Sequence, residues 1–313
     1  MEANIRWGLV TAIAPIAWGS NYFVTKQFLP PDYPLYGAVL RALPAGLILL
    51  MVTRERPHGS WWWKSLVLGA LNVGAFFALI YVAAQLLASG VASTLMSTSP
   101  AVMMLLAWPM IAERPRMLSL AGAAVGFGGV CVMLLGPGNG VDPLGVAASL
   151  AAMTLSSIGY ILAKRWGGSA KVLPLTAWQL VAGGLLLVPV AVIVEGTPPV
   201  LDAPAIIGFG YVTLIATALA FAAWFAGLRH LSAGNVGLIG LLNPVTGVLL
   251  GTLIAGESFG WNRAIGMLLV LVGILLGQPA AMKVLNRRLP DRRSISARPT
   301  AGFDIVDECT NSR

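Results

Sequence analysis

The sequence predicts an all-α membrane protein with ten transmembrane helices arranged as two inverted five-helix repeats. Composition, the spacing of apolar runs and an internal repeat lead to this prediction. Apolar residues make up 57% of the 313 residues and charged residues only 10%, whereas a soluble domain carries about 25% charged residues. Most of the molecular surface is therefore expected to face lipid.

Ten apolar runs are long enough to cross a bilayer, which takes about 20 residues per helix. Runs 1 to 5 cover residues 6–26, 35–53, 64–86, 91–112 and 117–135, and runs 6 to 10 cover 142–164, 174–194, 205–228, 233–255 and 261–281. The loops between them are short, which makes successive helices antiparallel neighbours. We expect a first repeat over 1–135, a second over 136–281, and a disordered, basic cytoplasmic tail over 282–313.

The basic residues agree with this assignment and set its orientation. With the N-terminus in the cytoplasm, 17 of the 20 Lys and Arg residues fall on the cytoplasmic side, seven of them in the tail. Lys26 and Arg263 fall outside, and Arg41 lies within run 2. Such a bias is typical of inner-membrane proteins and predicts that both termini are cytoplasmic. The same loop positions explain the net charge of +8 without a nucleic-acid partner.

The two halves of the chain repeat one another. A shift of 144 positions aligns Phe77 with Phe221, Pro100 with Pro244 and Glu113 with Glu257, together with several glycines. Near the start of each half, a shift of 138 aligns Tyr22 with Tyr160, Lys26 with Lys164 and Arg41 with Gln179. Because each half has an odd number of helices, the halves must be inverted in the membrane, as in many secondary transporters.

The chain resembles the EamA-type members of the drug/metabolite transporter superfamily. The resemblance rests on Trp18-Gly19-Ser20-Asn21 in run 1, Arg41 in run 2, and a proline followed by a terminal glutamate in runs 4 and 9. Glycine-rich runs 5 and 10 follow at once, and the match covers about residues 6–281. The resemblance implies a bacterial exporter of amino acids, including aromatic ones, or of related metabolites.

A transporter needs polar and aromatic groups near the middle of the bilayer to hold its substrate. The candidate substrate-binding residues are Trp18, Asn21, Tyr22, Tyr81, Ser97, Tyr160, Trp178, Gln179, Trp224 and Asn243. Aromatic faces combined with amide and hydroxyl groups suit an amphipathic zwitterion. Aromatic residues near run ends could instead be interfacial anchors, and serines in run 4 could instead join helices.

Three further residues are candidates for electrostatic or gating roles. Arg41 is the one charge well inside a run, and it could pair with a substrate carboxylate or serve an outward-facing structural role. Pro100 and Pro244 should bend runs 4 and 9 at equivalent points. These bends could be flexing points of alternating access or static kinks.

No run carries an Asp or Glu near its centre, and both histidines lie at cytoplasmic loops. We therefore expect facilitated movement of the substrate without an obligatory co-ion; a proton-coupled exporter of drugs or other metabolites is the alternative. An intramembrane enzyme is a remote alternative, because metal-binding and nucleophile motifs are missing. No cofactor or metal is expected. The expected partners are a small-molecule substrate and the lipid bilayer, with the protein a monomer or a homodimer.

Overall fold

The computed structural model describes residues 2–30, 32–87, 95–96, 98–134, 142–168, 170–254 and 260–277. The predicted tail at 282–313 lies outside these ranges. Within them the regular secondary structure is helical throughout and contains no strand. Helical segments occur in every one of the predicted apolar runs.

The helices are numbered in the order of those runs. The first repeat contains α1 (Glu2–Phe28), α2 (Pro34–Thr53), α3 (Trp61–Gly69, Ala70–Gly74 and Ala75–Leu86), α4 (Ser99–Ile111) and α5 (Met117–Leu134). The second repeat contains α6 (Pro143–Gly167), α7 (Val172–Glu195), α8 (Ala203–Thr213, Leu214–Leu219 and Ala220–His230), α9 (Ala233–Gly240 and Leu242–Leu253) and α10 (Trp261–Gly277).

The all-α membrane fold is confirmed. In the part of the chain that the structure describes, five helical stretches are both long and apolar enough to cross a bilayer, and they belong to α2, α3, α6, α7 and α8. Shorter apolar helices lie in α4, α5 and α10. The count of ten crossings stays a prediction.

Local capping residues explain where the helices of the second repeat begin. Asp142 accepts hydrogen bonds from the amides of Leu144 and Gly145 at the start of α6. Asp202 and Ser232 do the same for the first turns of α8 and α9. These side chains satisfy amides that have no partner inside a helix, which fixes each helix start.

Helices α3 and α8 share an unusual feature. Each contains a π-helical turn, at Ala70–Gly74 in α3 and at Leu214–Leu219 in α8. A shift of 144 positions brings the first of these turns onto the second. A π-helical turn changes the hydrogen-bond register of the main chain, and such turns are frequent at functional sites.

Runs 4 and 9 are interrupted just before Pro100 and Pro244, the two residues at which bends were expected. Pro100 is the second residue of α4, and Pro244 lies in the first turn of the second part of α9, which is interrupted at Leu241. In a first turn the missing proline N–H costs little, because that group would have no helical partner. Each proline therefore begins a helical segment next to a break in the run.

Glycines bring equivalent helices of the two repeats into close contact. A Cβ on Gly122 would lie 2.5 Å from the carbonyl oxygen of Gly273, and one on Gly129 would lie 2.6 Å from that of Gly266. Positions rise along α5 while they fall along α10, so the two helices pack antiparallel. In the same way Gly46 of α2 meets Val181 of α7, and Gly184 meets Leu43.

The other contacts between helices also occur as equivalent pairs in the two repeats. Helix α1 packs against α8 and α9, and its counterpart α6 packs against α3 and α4. Helix α4 packs against α9. The π-helical turns of α3 and α8 are consequently buried on one side, where α7 and α2, respectively, pack against them.

Candidate functional site

Five aromatic side chains from α1, α6 and α8 form a continuous group inside the bundle. This aromatic cluster consists of Trp18, Tyr160, Phe221, Trp224 and Phe225. The ring of Trp18 lies 5.3 Å from Phe221 and 5.2 Å from Trp224, and Tyr160 lies 5.5 Å from Trp224 and 5.8 Å from Phe225. The spacings and tilted or edge-on orientations are those that aromatic rings prefer. Three predicted site residues, Trp18, Tyr160 and Trp224, therefore meet here.

The π-helical turn of α8 receives the guanidinium of Arg41. Arg41 Nε donates to Thr217 Oγ1 over 3.0 Å, and Nη2 donates to the carbonyl oxygen of Ala216 over 3.3 Å. The ring of Phe77 lies 4.9 Å from Arg41 Cζ, within the range of a cation–π contact. An arginine inside a bilayer costs about 3 kcal/mol on insertion scales, and these contacts offset part of that cost. The side chain thus bridges α2, α3 and α8.

The carbonyl oxygen of Ala216 connects Arg41 to the aromatic cluster. It accepts a second hydrogen bond from Trp18 Nε1 over 3.1 Å. Because Ala216 lies inside the π-helical turn, the altered register makes its main-chain oxygen available to side-chain donors. The cation of Arg41 and the aromatic ring of Trp18 are therefore held by the same main-chain oxygen.

Two polar atoms on α1 and α8, the helices that Trp18 joins at Ala216, are buried without a hydrogen-bond partner in the described part of the chain. They are Trp224 Nε1 and Asn21 Oδ1. Trp224 is only 3% exposed. A buried polar group without a partner costs about 1–3 kcal/mol, so such groups are common where a ligand supplies the missing partner. Trp224 offers a donor and Asn21 an acceptor.

Gln179 occupies the equivalent position in the other repeat. Asn72, in the π-helical turn of α3, donates through Nδ2 to Gln179 Oε1 over 2.8 Å, and both residues are 0% exposed. The shifts of 138 and 144 relate Gln179 to Arg41 and Asn72 to Ala216. Gly159 makes room for the pair, because a Cβ there would lie 2.1 Å from Asn72 Oδ1. Gln179 is thus engaged between α3 and α7, with its Nε2 unpartnered among the described residues.

Asn243 lies where α1 and α9 approach each other closely. A Cβ on Gly19 would lie 2.5 Å from the carbonyl oxygen of Asn243. On the other side of α1, Ser20 Oγ and Tyr211 Oη are 2.6 Å apart, which ties α1 to α8. Helix α1 is therefore held between α8 and α9 at the level of the predicted Trp-Gly-Ser-Asn motif.

Trp178 lies away from the aromatic cluster. Its Nε1 donates to the carbonyl oxygen of Glu55 over 2.8 Å, and its ring packs 5.6 Å from that of Trp61. It joins α7 to the loop between α2 and α3. Ser97 and the side chains of Tyr22 and Tyr81 lie outside what the structure describes.

A cavity of about 260 Å³ opens between α6, α7 and α8. Its lining includes Lys164, Arg229 and the apolar side chains of Leu175, Leu228 and Phe225. Both cations already have acceptors, since Lys164 pairs with Glu113 and Arg229 donates to the carbonyl oxygen of Ala170. Phe225 belongs to both the cavity wall and the aromatic cluster, so the two adjoin.

Six contributors to the site were missed from the sequence: Asn72, Phe77, Thr217, Phe221, Phe225 and the Ala216 carbonyl. Phe77 and Phe221 are equivalent in the repeat, so a comparison of the halves could have indicated both. An asparagine inside an apolar run could have indicated Asn72. Nothing in the residue types of 214–219 indicates a π-helical turn.

A comparison with known protein families agrees with the two-repeat organisation of the fold. The model of the EamA-like transporter family matches residues 5–135 and again residues 143–277. The chain belongs to the EamA-like transporter family, and it carries two copies of the family domain. It is a membrane transporter of small molecules.

Relatives of known sequence are similar over most of their length. Protein PecM of Dickeya dadantii (strain 3937) is 35% identical over 86% of this chain and 91% of its own length. The uncharacterized transporter YvbV of Bacillus subtilis (strain 168) is 25% identical over 87% and 91%. The uncharacterized inner membrane transporter YedA of Escherichia coli (strain K12) is 26% identical over 83% and 87%.

A solved structure, described as a crystal structure of protein, has the same fold. It superposes with a TM-score of 0.77, covers 90% of this chain and 99% of its own, and is 19% identical in sequence. At that identity the likeness shows the fold alone.

Proposed function

We propose that this protein is a secondary transporter that exports amino acids, aromatic ones in particular, or related small metabolites across the bacterial inner membrane by alternating access. The observation that carries the proposal is the shared anchoring of Trp18 and Arg41 on the Ala216 carbonyl oxygen. It places a cation next to a buried aromatic surface inside a two-repeat bundle.

The chemistry of the site suits an aromatic amino acid. A substrate carboxylate would bind the guanidinium of Arg41 in exchange for one of its two hydrogen bonds to the π-helical turn, since arginine–carboxylate pairs are strong and directional. The substrate ring would pack on the aromatic cluster in one of the geometries that aromatic pairs prefer. Trp224 Nε1, buried without a partner among the described residues, would donate to a substrate oxygen.

The reciprocal contacts between the halves support alternating access. When each residue is replaced by its equivalent in the other repeat, the Gly122–Gly273 contact becomes the Gly129–Gly266 contact. The two helices that make these contacts, α5 and α10, are antiparallel. Equivalent helices that run in opposite directions are what inverted repeats require, and this supports the proposal. Inverted repeats have two related packings, each of which opens the central site to one side of the membrane.

The charges support an orientation with both termini in the cytoplasm. Arg54, Arg56, Arg114, Arg116 and Arg229 lie at helix ends and loops that fall on one side under this orientation. The positive-inside rule places that side in the cytoplasm. The Glu113 end of the bundle would then be the cytoplasmic end.

The positions of the carboxylates favour facilitated movement over proton coupling. Glu55, Glu113, Asp142, Glu195 and Asp202 all lie at helix ends or in loops, away from the middle of the bilayer where proton relays are built. Export of an accumulated metabolite down its own gradient needs no co-ion.

Transport in proteoliposomes tests the proposal. Vesicles preloaded with unlabelled substrate should exchange radiolabelled L-tryptophan or L-phenylalanine, and tryptamine, which lacks the carboxylate, should compete poorly. Exchange should be unchanged when the pH gradient across the vesicle is collapsed. Equal competition by tryptamine would remove the role of Arg41 in recognising a carboxylate. Uptake driven by a proton gradient alone would establish the coupled mechanism instead.

A further inference from the structure

Glu113 connects the two repeats at one end of the bundle. It lies in the turn between α4 and α5, and its carboxylate contacts two groups of the second repeat. Oε1 pairs with the Lys164 ammonium over 2.5 Å, and Oε2 accepts from the amide of Ala233 over 2.9 Å. Ala233 is the first residue of α9. A carboxylate at a helix N-terminus complements the partial positive charge there.

Lys164 makes the complementary contact. Its ammonium also donates to the carbonyl oxygen of Leu231 over 2.5 Å, and Leu231 directly follows the last residue of α8. A cation stabilises the carbonyl groups at a helix C-terminus. Glu113 and Lys164 therefore hold the α8–α9 turn from both sides. The cation of Lys164 lies at the C-terminus of α8, and the anion of Glu113 lies at the N-terminus of α9. We call these two side chains and their contacts to Leu231 and Ala233 the Glu113–Lys164 latch.

The latch lies where the bundle is closed. Every residue of α9 from Ala233 to Ile239 is buried, and Gly237 packs against Pro100 at the start of α4. Lys164 also lines the 260 Å³ cavity, and Phe225, a member of the aromatic cluster, forms part of the same cavity wall. Movement of the α8–α9 turn away from α6 would therefore widen the cavity beside the cluster.

The latch is better shielded than a second ion pair that links the halves within the described residues. The side chains of Lys164 and Glu113 are 18% and 29% exposed, whereas those of Lys171 and Glu55 are 75% and 41% exposed. Exposed pairs contribute little to stability, and hydrogen bonds to charged groups in sheltered sites contribute more. The Lys171–Glu55 pair is thus a natural control.

We propose that the Glu113–Lys164 latch is a gate that holds this end of the transporter closed and must break for the substrate to enter from that side. This proposal rests on the proposed alternating-access function and names residues that control it. Glu113 and Lys164 are positioning residues, since they act on the α8–α9 turn and lie outside the aromatic cluster.

Reporter cysteines test the gate without any substrate. In a background with Cys131→Ala and Cys309→Ala, one protein carries Val236→Cys in α9 and another carries Val270→Cys in α10; both valines are fully buried. A membrane-impermeant maleimide is applied to inside-out vesicles, and the labelling rate is measured. Glu113→Ala and Lys164→Ala should each raise labelling at position 236 about tenfold, the effect of losing one charged hydrogen bond. The double variant should add little to the larger single effect.

Two comparisons keep the test specific. Lys171→Ala should leave labelling at position 236 within about twofold of the parent, because its ion pair is exposed. Position 270 should stay unlabelled in all variants until detergent denaturation. Unchanged labelling at position 236 would overturn the gate. Equal rises in labelling at positions 236 and 270, seen in Glu113→Ala and in the milder variant Lys164→Met, would also overturn it. Failure of the tryptophan exchange assay with a positive labelling result would instead count against the proposed substrate.

Discussion

Trp18 and Arg41 donate to the same main-chain acceptor, the carbonyl oxygen of Ala216, over 3.1 and 3.3 Å. The two donors come from α1 and α2, and the acceptor lies in the π-helical turn of α8. Hydrogen bonds therefore join the three helices α1, α2 and α8 at a single atom, the carbonyl oxygen of Ala216. A movement of the π-helical turn of α8 relative to both α1 and α2 would change both hydrogen bonds together, which couples the aromatic cluster to the cation.

Arg41 should be essential for transport. Lysine keeps the charge of Arg41 but cannot contact Thr217 and Ala216 with two nitrogens of one rigid group. We expect Arg41→Lys to reduce tryptophan exchange by about tenfold and Arg41→Gln to reduce it further. Arg165→Gln, at an exposed position of α6, is the control and should keep exchange within about twofold. Normal exchange by Arg41→Lys would show that the shape of the guanidinium is unimportant.

Trp18→Phe separates the hydrogen bond of Trp18 from its ring. Phenylalanine keeps an aromatic face toward Phe221 and Trp224 but cannot donate to Ala216. Loss of one hydrogen bond costs about 1 kcal/mol, so the apparent affinity for tryptophan should fall about fivefold with the amount of folded protein unchanged. Trp108→Phe is the matched variant, since Trp108 is an exposed tryptophan on α4, and it should behave like the parent. A Trp18→Phe protein with parental affinity would contradict the importance of this bond.

Gly159→Ala should destabilise the protein. The added methyl group would meet Asn72 Oδ1 at 2.1 Å and force apart the buried Asn72–Gln179 pair. Overpacking of this kind costs about 1–3 kcal/mol, which a lower thermal midpoint in detergent would reveal. In contrast, Gly128→Ala meets no atom within 4 Å, and alanine favours a helix by up to about 1 kcal/mol. The midpoint of Gly128→Ala should stay level or rise, so a similar fall in both variants would exclude the clash as the cause.

Loop labelling can establish the orientation of the repeats. Single cysteines at Ser60 and Ser232 should react with an impermeant maleimide only from the cytoplasmic side, and cysteines at Asp32 and Thr197 only from the opposite side. All four residues are exposed and lie in loops or turns. The expectation follows from the positive-inside rule applied to Arg54, Arg56 and Arg229. Labelling of Ser60→Cys and Ser232→Cys from different sides would remove the inversion.

Much of the fold could be predicted from the sequence because membrane helices leave long apolar runs. The described helices fall within a few residues of the predicted runs. The interruptions were harder to place. Pro100 and Pro244 were expected to bend runs 4 and 9. Both runs are interrupted just before these residues, because a proline restricts the chain on its N-terminal side, and a helical segment begins beside each. The π-helical turn at 70–74 has ordinary residues and could not be predicted from composition.

The site could be predicted in part. Trp18, Tyr160 and Trp224 meet because they are large aromatic residues on helices that pack around one point. Trp178 has the same chemistry but lies at the α2–α3 loop, and only the three-dimensional packing separates it from the others. The partner of Arg41 could not be predicted, because its acceptor is the main chain of an alanine.

That acceptor has a consequence for how such proteins diverge. A substitution at position 216 replaces a side chain but leaves the backbone oxygen in place, so mutation cannot easily delete the point where the polar contacts converge. The groups that reach it belong to the side chains at positions 18 and 41, which a mutation can replace. New substrate preferences can therefore evolve by changes in the surrounding side chains, while the anchor itself is inherited with the course of the polypeptide.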